Sequence, residues 1–298
     1  MKTKPLFAFF GTPDISVYVL DALERAGYLP ALVVTAPDRP RGRGMETTPT
    51  PVKQWAQARD IDVITPAKLS DPDVLEILGN TDWDVFIVAM YAKLIPKTIL
   101  DMPRRGVLNV HPSLLPKFRG PSPVLSAILA DERATGVCVM QLVEAMDAGS
   151  VVAQARIELE EDMWPPKGSE FETLLATEGG NLLAEVLPDW VAGKIDAVPQ
   201  DDTLATYTKK FTDEDALLDA QQVGQSIQFD GDARTNLCKI RAFDKSPRAH
   251  FYITKNGKPS RVTITEAHIE GDALVLDRVI PEGKKEMAYA DFARGLSK

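Results

Sequence analysis

Residues 106–120 read GVLNVHPSLLPKFRG, and this stretch organises the reading of the whole chain. The apolar run 107–110 has the pattern of a buried strand. Strand side chains repeat with period two, so Asn109 and His111 leave it on the same side. Pro112, Pro116 and Gly120 then break any regular element and impose a stiff loop. A strand that ends in Asn-x-His and opens into a loop puts polar groups where α/β proteins keep their sites, at the carboxyl ends of strands. An isolated Asn-x-His more often means a turn asparagine and a satisfied core histidine. A second stretch changes that balance. Residues 144–149, EAMDAG, follow another apolar run and hold Asp147 in a tight turn flanked by glycine. Asn109 and His111 from one strand and Asp147 from the turn after another make a candidate catalytic trio.

The 298 residues suffice for two domains, and 44% hydrophobic with 26% charged residues is ordinary for a soluble globular protein. No apolar run reaches 18 residues, so no membrane span is expected. The start, MKTKPLFAFFGTP, reads as a first strand rather than a signal peptide. The two cysteines, Cys138 and Cys238, are far apart and form no C-x-x-C pair, and no metal-ligating constellation is visible. A cytoplasmic setting fits these features; they do not bear on oligomeric state, for which a monomer is the expectation. The net charge of −9 argues against non-specific binding to nucleic acid. The acidity is uneven, however: residues 205–298 hold 15 Lys and Arg against 14 Asp and Glu. The C-terminal part is therefore nearly neutral and can carry a basic face.

Along the chain, a strand at 6–10, a helix carrying Val17, Leu20 and Leu23, and a strand at 32–35 form a βαβ unit. Gly11 starts no G-x-G-x-x-G fingerprint. Residues 36–51 read as a long loop whose Arg39, Arg41 and Arg43 suit phosphates. The run 85–90 is apolar throughout, as in the middle of a parallel sheet. Residues 121–130 are expected to be helical, 137–143 and 151–157 extended, and 170–191 a long amphipathic helix with Leu174, Leu175, Leu182, Leu183 and Leu187 on its buried side. Residues 192–212 carry no period and read as a linker. Residues 213–229 are expected to be mostly helical, and alternating runs such as HFYIT and RVTITEAHI then announce a small β-rich domain. The expected organisation is an α/β domain over 1–191, a linker over 192–212 and a second domain over 213–298.

These residues resemble the methionyl-tRNA formyltransferases, within the wider group of folate-dependent formyltransferases. The matching pieces run in order: FFGTPDIS at 9–16, APDRPRGRG at 36–44, PVK at 51–53, NVHPSLLPKFRGPSPV at 109–124, TGVCVMQLVEAMDAGSVV at 135–152, DDTLATYTKKFTDEDALLD at 201–219, IRAF at 240–243 and PEGKKEM at 281–287. The resemblance implies a Rossmann-like formyltransferase domain with a mostly parallel sheet, followed by a small OB-like tRNA-binding domain. It implies transfer of a formyl group from 10-formyltetrahydrofolate, as cosubstrate, to the amino group of methionine on initiator methionyl-tRNA, a step of translation initiation. It maps the catalytic trio onto Asn109, His111 and Asp147. It places folate against Met90, Tyr91, Ala92, Lys93 and Leu94, against Ser113, Leu114, Leu115 and Pro116, and against Glu144, Ala145 and Met146. It places tRNA against Arg39, Arg41 and Arg43, with Lys117 and Arg119. The family's SLLP turn carries a cis bond, which falls here on Leu115–Pro116. Three features depart from the pattern: Ile15-Ser16 replaces the common Phe-Ala, DKSPRAHF follows IRAF where the family reads Asn-Pro-Trp-Pro, and the C-terminal domain is shortened.

The chemistry accounts for these residue types. An amine attacking a formyl amide builds negative charge on the formyl oxygen, which needs preorganised donors in a water-poor site. Asn109 supplies a neutral donor. His111 supplies a cationic one, with Asp147 expected to raise its pKa or to relay a proton. Other readings are a formyltransferase for a nucleotide-sugar amine or glycinamide ribonucleotide, a hydrolase of the formyl donor, and a non-catalytic tRNA-binding relative.

Overall fold

The structure is a computed structural model, and it describes residues 4–41, 46–223, 226–255 and 257–296. In chain order, β1 (Phe7–Phe10) is followed by α1 (Asp14–Arg25), β2 (Leu32–Val34), the short β3 (Arg39–Arg41) and β4 (Glu46–Thr48), α2 (Pro51–Gln57), β5 (Asp62–Ile64) and α3 (Pro72–Gly79). Then come β6 (Val85–Val88), α4 (Lys97–Leu100), β7 (Val107–His111), α5 (Pro123–Leu129), β8 (Thr135–Gln141), β9 (Val151–Ile157) and the long α6 (Gly168–Val191). Seven strands form one sheet in the order β5-β2-β1-β6-β7-β8-β9. β5 through β7 are parallel, and β8 and β9 add an antiparallel edge.

The chain steps outward from β1 to β2 and β5, then returns to lay β6 on the other side of β1. That reversal opens a crevice at the carboxyl ends of β1 and β6, the usual ligand position in such sheets. A glycine is required there: a Cβ on Gly11 would lie 2.6 Å from the Phe9 ring and 3.0 Å from the Ala89 carbonyl oxygen. The Ser16 hydroxyl, buried at the start of α1, donates to that same oxygen at 2.8 Å.

Both faces of β7 are covered. Leu108 and Val110 join the core built by α1, α2 and α6, through Leu20, Trp55 and Leu183 among others. Val107 joins the opposite cluster with Leu78 and Ile99. Asn109 and His111 share the side of Val107. Behind them α6 approaches very closely, because a Cβ on Gly179 would lie 2.4 Å from Val110 Cγ1 and one on Gly180 2.7 Å from Ala22 Cβ. Two glycines weaken a helix interior by roughly 1 kcal/mol each. Here Gly179 lets it seat against the strand that carries Asn109 and His111, and Gly180 against α1.

The chain forms two compact units, Met1–Gly120 with Ala134–Ile157 and Glu172–Tyr207, and Pro121–Arg133 with Glu158–Phe171 and Thr208–Lys298. The second contains β10 (Ala220–Val223), β11 (Ser226–Phe229), α7 (Ala233–Ala242), β12 (His250–Lys255), β13 (Lys258–Glu270), β14 (Ala273–Pro281), β15 (Met287–Ala288) and α8 (Tyr289–Arg294). β12 to β15 form an antiparallel sheet in sequence order, over a core of Phe243, Phe251, Ile264, Leu276 and Val279. Asp131, at φ 51°, fastens this unit by accepting from Trp164 Nε1 at 2.6 Å and Arg234 Nη2 at 2.8 Å.

Two expectations are corrected. Residues 213–229 are not helical: β10 and β11 pair as an antiparallel hairpin. Ile227 and Phe229 pack on the C-terminal core with the period of a strand, and that spacing outweighs the weak helical pattern. The 36–51 stretch is not a bare loop, since β3 and β4 pair Arg39 with Thr48 and Pro40 with Thr47. β-branched threonines favour the extended form, and a two-stranded ribbon tolerates the missing N–H of Pro40.

Candidate active site

Four of the five residues of β7 are buried, and Asn109 is the half-buried exception. Its side-chain amide has no hydrogen-bond partner among the described residues. His111 is 4% exposed. Its Nε2 donates to the Phe118 carbonyl oxygen at 3.1 Å. A carbonyl only accepts, so this bond assigns the ring proton to Nε2 and leaves Nδ1 with a lone pair. Nδ1 faces Asp147 Oδ2 at 3.9 Å. Asp147 Oδ2 in turn accepts the Gly120 N–H at 2.7 Å. Phe118 and Gly120 thus fix the two ends of the His111–Asp147 pair from one short loop.

Burial is the largest influence on His111 and pushes its pKa below 6.5, while the Asp147 carboxylate and the Phe118 carbonyl pull the other way without offsetting it. The expectation of a raised histidine pKa is therefore corrected: the cost of burying an imidazolium exceeds the attraction of a carboxylate at 3.9 Å. No lysine or arginine pairs with Asp147 among the described residues.

The backbone is strained around this pair. Met90, Phe118 and Asp147 hold φ of 52°, 60° and 47°, a region that costs a non-glycine residue roughly 1–3 kcal/mol. The Asp147 turn is pinned beneath by Gly149, whose Cβ, if present, would lie 1.8 Å from the Gln141 carbonyl oxygen.

The residues assigned to folate fall into three groups. After β6, Met90 is half-buried and Ala92 exposed, and Leu94 leaves 83% of its surface uncovered. The Tyr91 ring packs edge-on to Phe10 with centroids 5.8 Å apart. Its buried hydroxyl has no partner among the described residues, and burial pushes its pKa up to about 12. Lys93 is tied down, since Nζ donates to the carbonyls of Pro66 and Ala67 at 2.6 and 2.8 Å. In the loop after β7, Ser113 Oγ donates to the Lys117 carbonyl at 2.7 Å, a turn-stabilising role. Leu114 is half-buried, Leu115 packs on Cys138 and Met140, and the Leu115–Pro116 bond is cis as the resemblance implies. In the third group, Glu144 and Ala145 are exposed and Met146 is 62% exposed.

Of the residues assigned to tRNA, Arg39 is exposed in β3 and Arg41 belongs to the same strand, whereas Arg43 lies outside the described residues. Lys117 is exposed. Arg119 does not fit the assignment. It is 2% exposed, and its guanidinium donates to Gln200 Oε1 at 3.0 and 2.8 Å, Asp202 Oδ1 at 2.7 Å and the Tyr207 hydroxyl at 3.3 Å. Five donors find partners more readily inside a polar knot than on an open face, and a local reading of KFRG cannot foresee those partners. Gln200 and Phe118 are the residues that sequence reasoning missed. Both act through atoms that no motif records: a side-chain amide in a featureless stretch and a main-chain carbonyl. No group of three metal-ligating side chains occurs among the described residues.

A parallel sheet with Asn109 and His111 closing β7 and Asp147 in the turn between β8 and β9 is the frame of a formyl transferase, and the sequence model of the family described as Formyl transferase matches residues 3–183. A methionyl-tRNA formyltransferase of Halalkalibacterium halodurans is 34% identical over 96% of this chain and 93% of its own length. The chain belongs to the methionyl-tRNA formyltransferase family. Among solved structures, a methionyl-tRNA formyltransferase from Clostridium thermocellum shares the fold with a TM-score of 0.59 at 15% identity, covering 93% of this chain and 98% of that one. A sugar N-formyltransferase from a Shewanella species aligns with a TM-score of 0.63 at 13% identity, over 89% of this chain and 99% of that one.

Proposed function

We propose that this chain transfers the formyl group of 10-formyltetrahydrofolate to the amino group of methionine on initiator methionyl-tRNA, acting as a cytoplasmic monomer. The first of the two compact units carries the catalytic trio, and the second, which holds Thr208–Lys298, is assigned the binding of tRNA. The observation that carries the reading is the pair formed by a neutral His111, its Nδ1 open, and Asp147 at 3.9 Å, beside the unpartnered amide of Asn109.

The surroundings fit a folate. Leu94 and Met146 leave large apolar surfaces uncovered, and the Tyr91 hydroxyl lacks a partner among the described residues. An aromatic, hydrogen-bonding heterocycle answers both needs. The bound cosubstrate supplies the formyl group as an amide at N10. Asn109 donates to the formyl oxygen as negative charge develops there. His111 takes the proton of the attacking amine at Nδ1, and Asp147 stabilises the imidazolium that results. His111 then returns that proton to the departing nitrogen. Losing one donor to the oxygen costs on the order of 3 kcal/mol in the barrier. The exposed arginine of β3 and Lys117 supply charge for the acceptor phosphates.

The test is a formylation assay with 10-formyltetrahydrofolate, comparing methionyl initiator tRNA, free methionine and a nucleotide-linked amino sugar. Product on the charged tRNA alone is the expected result. Product on the amino sugar, or on free methionine at a comparable rate, would move the chain to another acceptor.

A further inference from the structure

Gln200 lies in the stretch where the sequence offers no motif, yet its side chain joins two parts of the site. Its Oε1 accepts both Nε and Nη2 of the buried Arg119 at 3.0 and 2.8 Å. A guanidinium only donates, so the amide cannot be flipped, and Nε2 is committed to the other side. There it donates to the carbonyl oxygens of Asp147 and Gly149 at 2.8 and 2.7 Å. Those two carbonyls bracket the turn whose Asp147 sits at φ 47°. Such a conformation persists only where the surroundings over-determine it. Arg119 is itself held in place, since its N–H donates to the Thr206 carbonyl at 2.8 Å and its guanidinium to Asp202 at 2.7 Å. It also directly precedes Gly120, whose N–H holds the Asp147 carboxylate at 2.7 Å.

We propose that Gln200 is a positioning residue of the formyl transfer: with Arg119 behind it, its amide holds the strained Asp147 turn so that the carboxylate faces His111. The proposal rests on the catalytic role given above to Asp147. It assigns the 192–212 stretch a part in catalysis besides connecting domains. Misplacing a reacting group by about 1 Å costs up to about 100-fold in rate. Loss of the amide is thus expected to lower kcat on the order of 10- to 100-fold while leaving the KM values for cosubstrate and methionyl-tRNA within about twofold.

The experiment measures kcat, both KM values and Tm for the full chain, for Gln200→Leu, Gln200→Glu and Asp147→Asn, and for the double variant Gln200→Leu/Asp147→Asn. Gln200→Glu keeps the acceptor for Arg119 and sets an oxygen that cannot donate against the Asp147 and Gly149 carbonyls, so it tests that donor with the Arg119 contact kept. The expected results are a lowered kcat in both Gln200 variants, a Tm in each that stays above the assay temperature, and a double variant no slower than Asp147→Asn alone. That non-additivity marks action through Asp147, and a merely structural role would add its own loss. A slow Asp147→Asn with both Gln200 variants at the wild-type rate would overturn the proposal alone, and so would full additivity in the double variant. A wild-type rate in Asp147→Asn would overturn the catalytic reading of the turn, and this proposal with it.

Discussion

His111 and His250 are both buried, at 4% and 1% exposure, and each lies near an aspartate, at 3.9 Å from Asp147 and 3.7 Å from Asp213. Each also has a ring nitrogen beside a backbone carbonyl, Phe118 at 3.1 Å and Arg248 at 2.9 Å. By burial and carboxylate alone they are twins. They differ in what else is present. Around His250, Arg261 donates two hydrogen bonds to Asp213 at 2.7 and 2.8 Å, and its Nη2 lies 3.1 Å from His250 Nδ1. That aspartate already has its cation, and the arginine holds its carboxyl below the usual range. Around His111, Asp147 meets a backbone N–H and the histidine, and no arginine or lysine among the described residues. Nδ1 is left open beside it. A histidine near an aspartate is therefore no signature of chemistry. A carboxylate left uncompensated, on a strained turn, beside an open ring nitrogen, is much closer to one.

This contrast can be broken by substitution. Asn109→Ala should cut turnover by at least about 100-fold with fold and Tm retained, and a near-normal rate would remove Asn109 from the trio. Next in size is a pH effect. A protonated His111 cannot take the proton of the amine, so the rate falls as pH drops through its pKa. Because burial lowers that pKa, the limb that His111 adds to kcat/KM should lie below pH 6.5, apart from the limb set by the amine's own protonation. A limb above 6.5 that does not follow the amine's own ionisation would show that the carboxylate outweighs burial. Asp213→Asn, at the other histidine, should leave kcat within about twofold and lower Tm by no more than about 3 °C, since that ion pair is largely exposed. A large loss of activity would erase the distinction between the two sites. Smallest of all, Arg39→Ala should raise KM for tRNA more than KM for the cosubstrate, an effect that salt should mask.

Local signals account for what was legible in the sequence. The apolar run of β7 with its Asn-x-His ending is one short signal and the glycine-flanked Asp147 turn another, and each is readable within a few residues; together they locate the trio and the parallel sheet. Gly179 and Gly180 carry no local signal of their role, because the close approach to Val110 and Ala22 that requires them is set by residues far away. Arg119 looked like a phosphate ligand because its partners stand 81 to 88 positions further on, in a stretch with no period of its own. The histidine's pKa direction depended on burial, which no motif encodes. The β10–β11 hairpin escapes a local reading because Ile227 and Phe229 make a strand signal only two apolar positions long.

The most direct test of the account is single-turnover formylation of methionyl initiator tRNA by the wild-type chain and by Asp147→Asn, with both substrates saturating. The account predicts a loss of at least about 100-fold in the variant, with both substrates still bound. A variant that formylates at the wild-type rate would contradict the claim that the His111–Asp147 pair carries the transfer.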